Sequence, residues 1–286
     1  MKIIYLPILG ALALASGTIL QKMVLRKRKI NIKLYQTSEF LAIVLVMLPF
    51  IYFFWKITPQ AFETKSIFIF LAVIIFSVTA NLFTFYSMKW EKISNLEPAK
   101  ILEPLFVILL AVFFSYLISE EMYSRNLKIV ILALIAGLAL IFSHIKKDHL
   151  KFNRYFIAAV LGSFFFAAEL VISRLILDFY SPVTFYFLRC FFILLISFAV
   201  FRPKFKRLGK KVRFEILAIG FVWFIYRVVI YYGYINYGII FTTLIIMLGP
   251  IFVYTFAWKF LREKLNWKNI VSTAVIVGCI LYASLS

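Results

Sequence analysis

The chain has 286 residues, 64% of them hydrophobic, and a mean hydropathy of +0.98. Soluble domains are only about 45–50% apolar, so a water-soluble enzyme, a disordered chain and a disulfide scaffold are excluded. A net charge of +20 would point to nucleic acid on a soluble protein. Here the basic residues lie between apolar runs, so the bilayer surface accounts for them and nucleic acid is not an expected partner.

A membrane-crossing helix needs about 20 apolar residues. Taken in chain order, the apolar runs predict spans at about 3–24, 34–55, 66–88, 95–118, 127–145, 153–177, 183–201, 213–234, 239–261 and 268–285. The first run is long enough to span and shows no cleavage site after a short apolar core, so it reads as a retained helix. Helices are the default because backbone polar groups in lipid must be satisfied internally. A β-barrel needs alternating polarity, which runs such as Ile67–Ile75 lack. The expected fold is an all-α polytopic membrane protein of about ten transmembrane helices. The longest polar stretch, Arg202 to Arg213, reads as a basic loop at headgroup level.

Cys190 and Cys279 sit in apolar runs without partners at motif spacing, and His144 and His149 flank a loop. No metal or other cofactor is expected. There is no phosphate-binding GxxxxGK[ST] loop, which argues against direct ATP drive.

The loops after spans 1, 3, 5, 7 and 9, here called end A, hold 22 of the 32 Lys and Arg residues. The opposite end, B, holds five. The positive-inside rule places end A in the cytoplasm, with both termini outside.

The chain resembles itself. At an offset of 146, Leu71-Ala72 falls on Leu217-Ala218, Tyr86 on Tyr232, Pro104 on Pro250 and Phe106 on Phe252. At slightly larger offsets Gly10 meets Gly162 and Tyr35 meets Phe185. Spans 1–5 therefore correspond to spans 6–10, giving halves 1–148 and 149–286. A unit with an odd number of spans enters the membrane in opposite directions when repeated. Such inverted repeats are a common plan of secondary transporters, with the site between the halves near the midplane.

Several residues carry a family resemblance. Each fourth span of a half bears a proline, in Glu103-Pro104-Leu105-Phe106 and Gly249-Pro250-Ile251-Phe252. Each ends near acidic residues, Glu120/Glu121 and Glu263, and each fifth span carries a glycine, Gly137 and Gly278. The seventh opens Ser181-Pro182-Val183-Thr184 and reaches Leu188-Arg189. In these features the chain resembles the ten-segment EamA-like branch of the drug/metabolite transporter superfamily, over nearly its whole length. It departs from the family at Glu39, the counterpart of Arg189, and at Ser119 and Arg262, where a glycine usually precedes the acid. The resemblance implies an exporter of small metabolites, such as amino acids or amphipathic compounds. It also implies termini inside, against the loop charge.

Charges inside a bilayer are costly, so each is a functional candidate. The spans contain Lys22, Lys100, Arg174, Arg189 and Arg227, and the acids Glu39, Glu97, Glu103 and Glu169. Counting about 1.5 Å per residue places Glu39, Asn81, Glu97, Lys100 and Glu103 toward end A. It places Glu169, Arg189 and Arg227 toward end B. Two clusters are expected, acting as two gates or as halves of one charged pathway.

Arg189 and Arg227 could grip a carboxylate or phosphate through their bidentate forks. Glu169 could compete for them, or could pair with them purely as structure. Glu39 or Glu103 could carry a coupling proton. Pro104 and Pro250 would free the carbonyls of Lys100 and Ile246 and kink their helices, a gating role. Tyr86 and Tyr232, with Asn81 and Asn236, are candidate walls of a substrate pocket.

The reading is a secondary transporter working by alternating access, a multi-pass protein of the cell membrane. Its partners would be a small-molecule substrate and the lipid bilayer, in a monomer or homodimer. The alternatives are an intramembrane lipid-modifying enzyme, for which no HExxH, GxSxG or Asp-rich motif is present, and a non-transporting scaffold.

Overall fold

The computed structural model describes residues 5–27, 30–91, 96, 99–118, 123, 126–144, 153–205, 208–252 and 267–285. Glu97, Ser119, Glu120, Glu121, His149, Arg262 and Glu263 lie outside them, as does the side chain of His144.

The described residues form ten α-helices, α1 Tyr5–Leu25, α2 Ile32–Phe54, α3 Thr64–Trp90, α4 Leu102–Leu117, α5 Leu127–His144, α6 Arg154–Leu177, α7 Pro182–Phe201, α8 Lys210–Tyr237, α9 Ile239–Ile246 and α10 Trp267–Leu285. Each corresponds to one predicted span. Six of them, α1–α3 and α6–α8, are long and apolar enough to cross a membrane. The fold is therefore all-α and polytopic, and large side chains such as Tyr52, Phe53 and Phe68 stand exposed on its flanks, where lipid covers them.

Local signals set the helix starts. Asn31 accepts from Leu34 N–H, Asn153 from Tyr155 and Phe156 N–H, and Ser181 from Thr184 N–H. These caps satisfy amides that would otherwise be orphaned. Pro182 follows Ser181 at the first helical position, where no amide is needed.

The two expected kinks take a different form. Pro104 sits in the first turn of α4, just after a turn at Ile101. Pro250 lies in a short helical segment that resumes after α9 breaks at Met247 and Leu248. Both prolines therefore sit near the start of a helical segment, where a missing amide costs little, instead of bending a continuous helix.

The packing is reciprocal between the halves. α3 packs on α6, and α1 on α8; α4 packs on α6, and α1 on α9; α2 packs on α8, and α3 on α7. α2·α7, α4·α9 and α5·α10 are paired with their own counterparts. Exchanging each helix of α1–α5 with the one five later reproduces this pattern. Glycine permits a close crossing, for a Cβ on Gly220 would stand 3.0 Å from the α2 backbone at Ala42 and Ile43. Small residues at such crossings are the usual adhesive of membrane helices.

Lysines bind the ends together. Lys22 of α1 donates to the carbonyls of Met88 and Glu91, while Lys89 of α3 donates to those of Leu25 and Ile30. Each lysine thus satisfies carbonyls at the other helix's C-terminus. Lys22 reaches end A and is not a charge of the bilayer centre. Arg174 is likewise spent at end B, on Asp178 at 2.6 Å.

End B carries a clasp between the halves. Thr58 N–H donates to Phe179 O at 2.9 Å, Ser181 N–H to Lys56 O at 3.1 Å, and Lys56 N–H to Thr184 Oγ1 at 3.0 Å. Ile57 and Tyr180 form an antiparallel bridge.

Gly220→Val is expected to lower the thermal unfolding midpoint in detergent, because the α2 backbone must yield. Overpacking of this kind costs about 1–3 kcal/mol. Gly278→Ala, which meets nothing within 4 Å among the described residues, should leave the midpoint unchanged or raised; equal losses would remove the crossing as the cause.

Candidate functional site

The helices enclose a cavity of about 140 Å³, far above the roughly 10–15 Å³ one water needs. Its wall draws on both halves, with Gln21 from α1, Glu39 from α2, Asn81 from α3, Glu103 from α4, Arg189 from α7 and Arg227 from α8. Pro104 and Pro250 are also on the wall. The two expected clusters are therefore one site. They looked separate because depth along single helices says nothing of what faces a shared space.

At its centre is an ionic triad. Glu169 is fully buried; its Oε1 accepts from Arg189 Nη1 at 2.8 Å, and its Oε2 from Arg227 Nη1 at 3.1 Å. Tyr231 Oη donates to Glu169 Oε1 at 2.9 Å and accepts from Arg189 Nη1. Glu169 itself is not on the cavity wall, whereas both arginines are. The guanidiniums also lie over aromatic rings, Arg189 over Tyr186 at 5.3 Å and Arg227 over Phe166 at 5.3 Å. Such contacts help a desolvated cation. Two cations against one carboxylate leave the triad one positive charge in excess. Among the described residues, Arg189 Nε is buried without a hydrogen-bond partner.

Glu39 holds a different position. It is buried, and its Oε1 accepts from Gln21 Nε2 at 3.0 Å and from Tyr35 Oη at 3.3 Å. Among the described residues it forms no ion pair. Glu103 lies within the electrostatic reach of Arg227, Lys100 and Glu169. Asn81 donates to Ser77 O of its own helix, at 2.7 Å, while facing the cavity.

Besides Glu169, three candidates fall outside the cavity wall. Tyr86 packs on Tyr155, Tyr232 packs on Tyr237, and Asn236 is exposed and donates to Tyr232 O. Tyr86 and Tyr232 match at an offset of 146 in sequence, but the helix faces they occupy point elsewhere. The structure adds Gln21, Tyr186, Trp223 and Thr243 to the wall. Gln21 could have been found as a lone amide in an apolar span. The others carry no signal in an aromatic-rich sequence.

Removing the triad's carboxylate should be the most damaging change in the site. Glu169→Gln leaves two buried cations unpaired, a loss of about 3–5 kcal/mol. The combined Glu169→Gln/Arg189→Gln/Arg227→Gln protein should recover most of it. Thermal unfolding in detergent reads both, and a triple variant no better than Glu169→Gln would contradict charge pairing as the source.

Residues 153–285 match the model of the EamA-like transporter family. Curated proteins give no match. Solved structures do: 29 chains match, among them one described only as "Crystal structure of protein". It aligns over 98% of this chain and 98% of its own, with a TM-score of 0.71 and 15% identity, a likeness of fold alone. The second half of the chain is thus EamA-like, as the sequence motifs implied, and the long apolar helices make the protein an integral membrane protein.

Proposed function

We propose that this EamA-like protein is a secondary transporter of the cell membrane that exports small metabolites by alternating access between two inverted halves, residues 1–148 and 149–286. The observation that carries the reading is the cavity between the halves, with two arginines on its wall held by one buried carboxylate. The reciprocal packing of α1–α5 and α6–α10 supports the pseudo-twofold relation. A site between inverted repeats is the arrangement that rocking transporters use.

The cargo carries an anionic group, amino acids and amphipathic organic acids being the favoured classes. Its carboxylate displaces Glu169 from part of the arginine pair and so cancels the excess charge. Apolar wall residues such as Leu14, Phe40 and Ile43 suit an amphipathic body. Glu39, without a cationic partner among the described residues, is the candidate for a coupling proton. Pro104 and Pro250 place helix breaks on the cavity wall, where a half-helix can swing. The clasp at end B joins the halves and must open for the cavity to face that end. One chain supplies both halves, so a monomer suffices, and a homodimer would work protomer by protomer.

Reconstitution in liposomes tests this. Counterflow of labelled amino acids or organic acids is expected for the native protein, and Arg227→Gln should lower it at least tenfold with the thermal midpoint kept within a few degrees. Undiminished flux would remove Arg227 from the site. Ile57→Cys/Tyr180→Cys, with Cys190 and Cys279 replaced by Ala, should stop flux when oxidised and regain it on reduction. Full flux in the oxidised form would contradict opening at end B.

A further inference from the structure

A second concavity lies on the outer flank of the bundle at end A, with a volume of about 460 Å³. Leu41 and Leu45 of α2 form one wall, and Ile216 and Leu217 of α8 the other. Leu208 closes its upper end, and Arg213 stands at the rim. On α2 the groove and the transport cavity use opposite faces. Glu39 and Phe40 of α2 line the cavity, and Ser38, Leu41 and Ala42 the groove.

The groove's lining runs from Ser38 to Leu45 on α2 and from Arg213 to Leu217 on α8. Seven residues along α2 make about 10 Å of helix, less than half of the roughly 30 Å hydrocarbon core. Leu45, Leu217 and Phe214 are 50%, 40% and 73% exposed, so the groove opens sideways to lipid.

Its charge is one-sided. Arg202, Lys204, Lys210, Lys211 and Arg213 are exposed at the headgroup end. Arg213 Nε donates to Leu208 O at 3.0 Å, which fixes the guanidinium above the groove. The one acid between residues 202 and 217, Glu215, is engaged by Lys27. The groove itself is apolar along its length, since Ser38 Oγ is spent on Leu34 O at 2.7 Å.

We propose that this groove is a binding site for one anionic phospholipid of the end-A leaflet, an acyl chain lying between α2 and α8 and the phosphate under Arg213 and Lys211. The site is separate from the transport cavity and does not depend on the cargo. It braces α2 on the face opposite Glu39.

Native mass spectrometry of the purified full-length chain, given phosphatidylglycerol and phosphatidylcholine with identical acyl chains, tests the site. The native protein is expected to retain phosphatidylglycerol about fivefold better in its first bound lipid, the factor one basic side chain at an anionic headgroup is worth. Arg213→Gln should erase that preference, and Leu217→Trp should fill the groove and remove the lipid with the charges intact. Lys65→Gln, an exposed lysine at end B, should change nothing. Equal retention of the two lipids, an unaltered Leu217→Trp protein, or an equal loss in Lys65→Gln would each overturn the site, the last by showing general charge attraction.

Discussion

The site depends on one carboxylate. Glu169 is fully buried between Arg189 and Arg227, in a region where water cannot stabilise an isolated charge. Unpaired, each guanidinium would pay a desolvation cost of several kcal/mol. Pairing offsets that cost only in part, because two cations share one anion. The arrangement holds α6, α7 and α8 in register and leaves the triad itself one positive charge in excess, with Glu39 and Glu103 on the same cavity wall.

Around this centre the helices are arranged by exchange. Contacts made by α1 with α8 recur between α6 and α3, and those of α4 with α6 recur between α9 and α1. The chemistry does not follow the same exchange. Glu39 and Arg189 are counterparts, as are Asn81 and Arg227. One backbone plan thus presents an acid with amide and phenol partners from one half, and an ionic triad from the other. Similar scaffolds with unlike charges give the cavity two distinct ends.

The ends of the bundle are held by different forces. At end A, lysine ammonium groups reach neighbouring carbonyls, as Lys22 and Lys89 do. At end B the link between halves is a short run of backbone and hydroxyl hydrogen bonds around Ile57 and Tyr180. Few bonds between loops can be broken and reformed at modest cost, for each is worth only about 1 kcal/mol net. That suits a gate.

The ten helices were legible from sequence, because apolar runs of membrane length admit few other structures. α6, read as 153–177, is Arg154–Leu177, and α9 starts at Ile239 as read. Arg189, Arg227, Glu169, Glu39 and Glu103 were legible as well, since a charge in an apolar run stands out whatever the fold. Tyr86, Tyr232 and Asn236 misled. In a chain with 16 tyrosines, a matching pair says nothing of the direction its helix face points. Lys22 and Arg174 misled in another way, for their long side chains reach the ends of the bundle. Only the tertiary structure decided that acidic and basic residues share one cavity, that Tyr231 completes the triad, and that α2 and α8 line a groove together. Periodicity along one helix fixes which residues are costly to bury. Which of them meet is set by how helices far apart in the chain cross, and those crossings depend on small contacts such as Gly220 against Ala42.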